Sequence, residues 1–133
     1  MAERPIVFIS HFAVKPGHAD SFRAMWDSVA AELESAKPAT AAYLAYLDEA
    51  GDRLTIVHVF PDAAALAAHF IGAGERSRDA YQHIAPAGWE VYGQADAANL
   101  EELRSAAAAS GAPLRVEPEA LGGFLRTTER RDR

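Results

Sequence analysis

The order of six segments in the first 95 residues constrains the fold more than any other feature of the sequence. Apolar runs rich in β-branched and aromatic residues predict strands, and apolar residues spaced three and four apart predict helices. The predicted strands are residues 6–14, 41–48, 54–60 and 89–93, and the predicted helices are residues 19–36 and a second one that opens at Asp62. Strand, helix, strand, strand, helix, strand is the split βαβ order. We therefore predict an α+β fold with an antiparallel sheet and both helices on one face.

The segment after the third predicted strand carries the start signal of the second helix. Asp62 is a favourable N-cap residue, and the alanine-rich run over residues 63–68 has high helix propensity. Two glycines within residues 72–74 are expected to interrupt the helix, and a shorter helical piece is expected over residues 76–84. Residues 86–88, Pro-Ala-Gly, then form the expected lead into the fourth strand.

The alternation of side chains along the predicted strands indicates which residues share a face of the sheet. Alternation places Leu54, Ile56, His58 and Phe60 on one face and Thr55, Val57 and Val59 on the other. Both faces of residues 6–14 are largely apolar, which is typical of a strand covered on both sides. Two helices cover one face only, and a second subunit related by a twofold axis is the simplest cover for the other. We therefore predict a ferredoxin-like βαββαβ domain that forms a homodimer, as in a dimeric α/β barrel.

Two further elements are expected after the fourth strand. Residues 96–110 predict a third helix, because Asp96 is a good N-cap and Gly111 suits the position after the helix end. Residues 114–117 are expected to form a short fifth strand.

These later elements contain too few apolar residues for a core of their own. We therefore expect a ferredoxin-like domain over residues 1–95 and an extension over residues 96–125 that packs on this domain or on the partner subunit. Residues 126–133 are expected to form a flexible, solvated tail, since chain ends are seldom tied down.

The composition excludes several classes of function. The chain has 133 residues, a net charge of −6 and no cysteine, so disulfides, Cys-based zinc sites, iron–sulfur clusters and thiol nucleophiles are excluded. An acidic chain whose basic cluster lies in the last eight residues does not fit nucleic-acid binding. The apolar run over residues 6–9 is too short for a signal peptide or a membrane span. We expect a cytoplasmic protein with neither nucleic acid nor membrane as partner.

Three stretches of the sequence together resemble one protein family. They are the turn Val14-Lys15-Pro16-Gly17, the strand end Val57-His58-Val59-Phe60, and the run Pro61-Asp62-Ala63-Ala64-Ala65-Leu66-Ala67-Ala68-His69-Phe70. The span from about residue 6 to residue 93 resembles the antibiotic-biosynthesis-monooxygenase-like family of the dimeric α/β-barrel superfamily. The resemblance implies a homodimer with a pocket between sheet and helices in each subunit.

The same resemblance implies a kind of chemistry. Some members of this family oxygenate polycyclic aromatic or quinol substrates without metal or flavin, related members bind and degrade haem, and many have no known activity. This sequence departs from the family at two positions: Phe60 stands where many members have Trp, and His11 lies in the region where haem-degrading relatives have Asn. The expectation for this chain is that it uses no cofactor.

Three of the five histidines are candidates for a catalytic base: His11 and His58 in apolar strands, and His69 late in the second helix. An imidazole titrates near neutral pH, and burial and neighbouring charges tune its pKa. The alternative for each is a structural hydrogen bond to the backbone or to a turn. His18 and His83 fit turn and surface positions. We predict no metal site, and a dispersed site of His11, His58 and His69 is the alternative.

Aromatic side chains are the second resource of this sequence. Tyr43, Phe60, Trp26, Phe70 and Trp89 are predicted to bind the substrate, since rings with polar tips suit a flat apolar ligand. Trp26 also has the spacing of a core residue, and Trp89 opens the last predicted strand, so packing is the alternative for both.

Two functions remain open at the level of the sequence. One is a monooxygenase without metal or flavin that acts on a small aromatic or quinol-type substrate between sheet and helices. The other is a non-catalytic homodimer, stress-associated or devoted to binding a small apolar or aromatic ligand. The sequence lacks a nucleophile elbow, a P-loop and a dinucleotide fingerprint. The lack of these motifs agrees with both functions and does not distinguish between them.

Overall fold

The computed structural model describes residues 5–126, and the α+β prediction is confirmed over that range. The elements are β1 (Ile6–Val14), α1 (Ala19–Ala36), β2 (Ala42–Leu47), β3 (Arg53–Phe60), α2 (Ala63–Phe70), α3 (Ala73–Ala80), β4 (Ile84–Tyr92), α4 (Ala97–Ser110) and β5 (Leu114–Glu117). The strands form a sheet in the order β2-β3-β1-β4-β5. The sheet is open within one chain, with β2 and β5 at its edges.

The pairing of the strands agrees with the predicted split βαβ arrangement. β1 lies antiparallel to both β3 and β4, and β2 lies antiparallel to β3. The predicted antiparallel sheet therefore holds for the first four strands. β5 instead pairs in parallel with β4, because α4 carries the chain back to the same end of the sheet before β5 begins.

β4 begins five residues earlier than the predicted strand, at Ile84 instead of Trp89. Pro86 and Gly88, which were expected to lead into the strand, lie inside it. The register of β4 against β1 shifts between His11 and Phe12, which leaves Ala87 as an extra residue, a β-bulge. A bulge accommodates a proline that a regular ladder would exclude.

The second helical region also differs from its prediction. Gly72, with φ of +85°, separates α2 from α3 and is the N-cap of α3, so that break is confirmed. α3 then starts at Ala73 and ends at Ala80, whereas a helix over residues 76–84 was predicted. Gly74 lies within α3 and interrupts nothing.

One face of the sheet is buried and is here called the inner face. Its β1 and β3 residues include Phe8, Phe12, Leu54 and Phe60, each less than a tenth exposed. Phe22 of α1, Leu66 of α2 and Leu103 of α4 pack against this face in two core clusters. Burying each such side chain contributes roughly 1.5–3 kcal/mol, so the three helices are held to the same side of the sheet.

The opposite face of the sheet, here called the outer face, carries no helix of the described chain. Its half-buried residues Val7, Ile9 and Val57 lie beside Leu44 and Tyr46, which are 48% and 58% exposed. The alternation predicted for β3 is therefore confirmed, with the apolar outer face left partly open.

The C-terminal elements α4 and β5 pack beside β4 of their own chain. α4 is capped by Asp96, whose side chain accepts from Asn99 N, and ends at Gly111 in the left-handed conformation, as predicted. Residues 118–126 form neither helix nor strand, and the predicted tail beyond residue 126 lies outside the described residues. Within residues 5–126, no helix is both long enough and apolar enough to cross a membrane.

Candidate active site

A cavity of about 380 Å³ lies between the inner face of the sheet and the helices α1, α3 and α4. Its size falls within the range of small-molecule pockets. The lining is mainly apolar and includes the aromatic residues Phe8, Phe12, Trp26, Tyr43, Phe70 and Trp89. The structure thus brings four of the five predicted substrate-binding residues to one cavity.

His58 lines this cavity because the alternation of β3 turns it to the inner face. The residue is 6% exposed, and its Nδ1 lies 3.0 Å from the carbonyl oxygen of Phe8. A carbonyl only accepts, so the neutral ring carries its proton on Nδ1 and donates it there. The lone pair is then on Nε2, which has no hydrogen-bond partner among residues 5–126. His58 therefore presents a free proton acceptor in an apolar site.

Burial lowers the pKa of His58 to about 3, and proximity to His69 and to the positive charge of Arg76 acts in the same direction. The hydrogen bond to the Phe8 carbonyl opposes this shift but is outweighed. At neutral pH the ring is therefore uncharged, which is the form that accepts a proton.

His69 lies in the last turn of α2 and is 3% exposed. Its Nδ1 forms a hydrogen bond of 2.8 Å with the hydroxyl of Thr40, just before β2. Burial, then the charges of Arg76 and Lys37, lower the pKa of His69 to about 4. His69 is thus a second neutral imidazole beside the first.

The two histidines belong to a cluster of rings. His58 and His69 pack edge to face with centroids 5.2 Å apart, and Tyr43 lies 5.2 Å from His58. Trp26 stacks on Tyr43 at 4.5 Å. Burial raises the pKa of Tyr43 to about 12, so its hydroxyl stays protonated. Phe60 contacts both histidines but is fully buried and does not line the cavity, so it supports the rings from behind.

Arg76 of α3 also lines the cavity, although it was not among the predicted site residues. Its Nη2 donates to the carbonyl of His69 at 2.6 Å, and its Nη1 donates to the carbonyl of Ile71 at 3.3 Å. A basic residue shortly after a helix end often binds the last carbonyls of that helix, and this was the available signal. Ser10, buried on the inner face between Phe8 and Phe12, is a second lining residue that was missed.

His11, the third candidate base, lies on the outer face of the sheet. Its Nε2 contacts the carboxylate of Glu90, and the hydroxyl of Tyr92 donates to the same carboxylate. Hydrogen bonds from Tyr92 and then His11 lower the pKa of Glu90. The structure therefore separates His11 from His58 and His69. Nowhere in residues 5–126 do three His, Asp or Glu side chains come close enough to hold a metal ion.

Several solved structures share the fold of this chain. MupZ from Pseudomonas fluorescens superposes with a TM-score of 0.68 at 22% identity over 92% of this chain and 95% of that one. SnoaB from Streptomyces nogalater, described as a cofactor-independent oxygenase, gives 0.58 at 13% identity over 71% of this chain and 96% of SnoaB. Rv0793 from Mycobacterium tuberculosis gives 0.56 at 18% identity over 70% of this chain and 97% of its own.

The sequence comparisons address the family directly. No curated protein matches the chain. The sequence profile of antibiotic biosynthesis monooxygenases matches residues 5–74, more than half of the chain, and this range includes β1 to α2 with both cavity histidines. The chain therefore belongs to the antibiotic biosynthesis monooxygenase family, as the resemblance indicated.

Proposed function

We propose that this protein is a monooxygenase that uses neither metal nor flavin and acts on a small aromatic or quinol-type substrate. The observation that carries the proposal is the unpartnered Nε2 of His58, which lines a cavity of aromatic side chains. Membership of the family and the likeness to SnoaB, described as a cofactor-independent oxygenase, support it.

The chemistry requires a substrate with an acidic carbon, such as the methylene group of an anthrone. His58 Nε2 takes one proton, and the carbanion gives one electron to dioxygen. The substrate radical and superoxide then combine in a peroxide, which takes the proton back from His58. Loss of the second methylene proton and cleavage of the O–O bond form a ketone and water. Dioxygen accepts all four electrons that the methylene group loses, so no further reductant is needed.

The surroundings of His58 suit the first step. An imidazole with a pKa of about 3 is a weak base in the empty cavity. A substrate anion formed beside it would pair with the imidazolium and raise that pKa, as an opposite charge does at short range. The stacked rings of Trp26 and Tyr43 offer an aromatic surface that orients the substrate.

The test is oxygen uptake by the purified protein with anthrone under air. We expect uptake above the buffer rate, and its loss in the double variant His58→Gln/His69→Gln. His83→Gln is the matched control, because His83 bonds to His18 outside the cavity. Uptake equal to buffer for a panel of anthrones and quinols would sink the oxygenase proposal for these substrates.

The second candidate is binding of a small aromatic ligand without chemistry, in a homodimer that is not an enzyme. The low pKa of His58 favours it, since a weak base suits a binding site as well as a catalytic one. Quenching of tryptophan fluorescence by anthrone, with Trp26 and Trp89 in the cavity wall, combined with no oxygen uptake, is the result that this candidate predicts.

We also propose that two copies pair through the outer face of the sheet, in the cytoplasm. The half-buried apolar side chains Val7, Ile9 and Val57, together with exposed Leu44, support the pairing, since such a patch is unusual on a monomer. Sedimentation velocity should give a dimer for the wild type and a monomer for Val57→Lys. Glu101→Lys on exposed α4 is the control and should stay dimeric. A wild-type monomer at micromolar concentration would contradict the pairing.

A further inference from the structure

The charge of Arg76 has no acidic partner in the described chain. No carboxylate of residues 5–126 forms an ion pair with its guanidinium. Its two hydrogen bonds go to the backbone carbonyls of His69 and Ile71, which fix the group in place without neutralising it. A guanidinium has five N–H donors, so three remain for a ligand.

This charge acts on the interior of the cavity. Burial is the main cause of the pKa shifts of Tyr43, His58 and His69, and beside it the positive charge of Arg76 acts on all three toward a lower pKa, with no contribution from a carboxylate. Glu102, the other charged residue of the lining, accepts a hydrogen bond from Asn99 on α4 instead. The histidine end of the cavity is therefore electropositive.

Lys37 adds a second positive charge at the C-terminal end of α2. Its Nζ donates to the carbonyls of Ala68 and Ile71 at 2.7 and 3.0 Å, and its charge also lowers the pKa of His69. Two cations thus flank one helix end, while the two neutral histidines offer no charge of their own to an anion.

We propose that the ligand of this cavity is an aromatic carboxylic acid in its ionised form, with the carboxylate on Arg76 and the ring system against Trp26 and Tyr43. A partly buried, unpaired cation gains from a bound anion, and the guanidinium fork matches the two oxygens of a carboxylate. This inference rests on the proposed function only in taking the cavity as the substrate site. Beyond the proposed function, it assigns a negative charge to the substrate and identifies Arg76 as the residue that recognises this charge.

The experiment compares two probes of equal shape, 2-naphthoate and the neutral 2-naphthamide, by fluorescence titration near neutral pH. We expect the wild type to bind 2-naphthoate about 10- to 100-fold more tightly than the amide, as for a charge-assisted pair in a partly buried site. In Arg76→Gln this preference should fall to about twofold or less, with the affinity for the amide unchanged. Arg78→Gln, on the exposed side of the same helix, should keep the full preference.

Arg76→Lys separates recognition from support of the fold, because it keeps the charge but loses the fork. It should retain a reduced preference for 2-naphthoate, whereas a purely structural role would leave the ratio between the probes unaltered in every variant. Equal binding of both probes to the wild type, no measurable binding of 2-naphthoate, or a full preference in Arg76→Gln would overturn the proposal. Neither probe has the acidic methylene group that the proposed oxygenation requires. The binding result therefore does not depend on the outcome of the oxygen-uptake test.

Discussion

The two faces of the sheet each carry a histidine, and the two residues are placed very differently. His58 on the inner face is buried among aromatic rings, bonds to the backbone carbonyl of Phe8 and has the cation Arg76 as its charged neighbour. His11 on the outer face has a side chain that is 39% exposed and is engaged by the carboxylate of Glu90.

The two histidines show that a candidate base is identified by a ring nitrogen without a hydrogen-bond partner, and not by the residue type alone. Nε2 of His11 is occupied by a carboxylate that belongs to the protein. Nε2 of His58 has no partner among residues 5–126 and lies where a ligand can reach it. One face of the same sheet therefore uses a histidine to bind a carboxylate of the protein itself, and the other keeps one available for a substrate.

The largest difference between substitutions on the inner and the outer face of the sheet is expected in the rate of oxygen uptake. His58→Gln should lower anthrone-dependent oxygen uptake by about 10²- to 10⁴-fold, the range for removal of a general base. His11→Gln should stay within about threefold of the wild type, because its side chain lies on the far side of the sheet. A drop of equal size in both variants would contradict the assignment of the catalytic base to the inner face.

The next effect concerns the acid stability of the inner face. The pKa of an unfolded histidine is near 6.5, whereas burial holds that of folded His58 at about 3. Between these values the unfolded chain binds a proton that the folded chain does not, so stability falls as the pH falls. For His58 alone the loss between about pH 7 and pH 5 is about 2 kcal/mol.

Urea unfolding at equal protein concentration measures this loss as a change in the free energy of unfolding. His58→Gln should unfold with a pH dependence that is weaker than that of the wild type by about the same 2 kcal/mol. Identical pH dependence in the two proteins would show that His58 is not held neutral by burial.

The smallest effect is expected on the outer face. Glu90→Gln removes the charge that His11 contacts, but both side chains are partly solvated, at 28% and 39% exposure. Such pairs contribute up to about 1 kcal/mol, so urea unfolding near neutral pH should change by no more than that. A much larger loss would mean that the pair is buried in the assembly, and sedimentation of the same variant would then show a weaker dimer.

Local rules predicted much of the fold correctly. Asp62 accepts from Ala65 N at 2.9 Å, which is the cap that its position before an alanine-rich run indicates. The alternation of β3 fixed which of its residues share a face, and the structure confirms it. These features depend on neighbours a few residues apart, and the sequence displays those neighbours.

The parts that were missed depend on contacts between distant segments. Both alternations of β1 are apolar, so its inner side became clear only from the register that places Phe8 opposite His58. Arg76 reaches the cavity only because the chain turns at Gly72, where α2 gives way to α3. Neither the register nor the path of a helix after a break follows from local spacing.

The extra residue in β4 decides on which side of the protein an acid lies. Side chains of a regular strand alternate between its two faces. If β4 were regular from buried Ile84 onward, Glu90 would face inward and Trp89 would face outward. Ala87 shifts the count by one, so the indole faces the cavity and the carboxylate faces away. Had Ala87 taken a regular, paired place in the ladder, the carboxylate of Glu90 would face the cavity, and the protein would supply for itself the charge that we assign to its substrate.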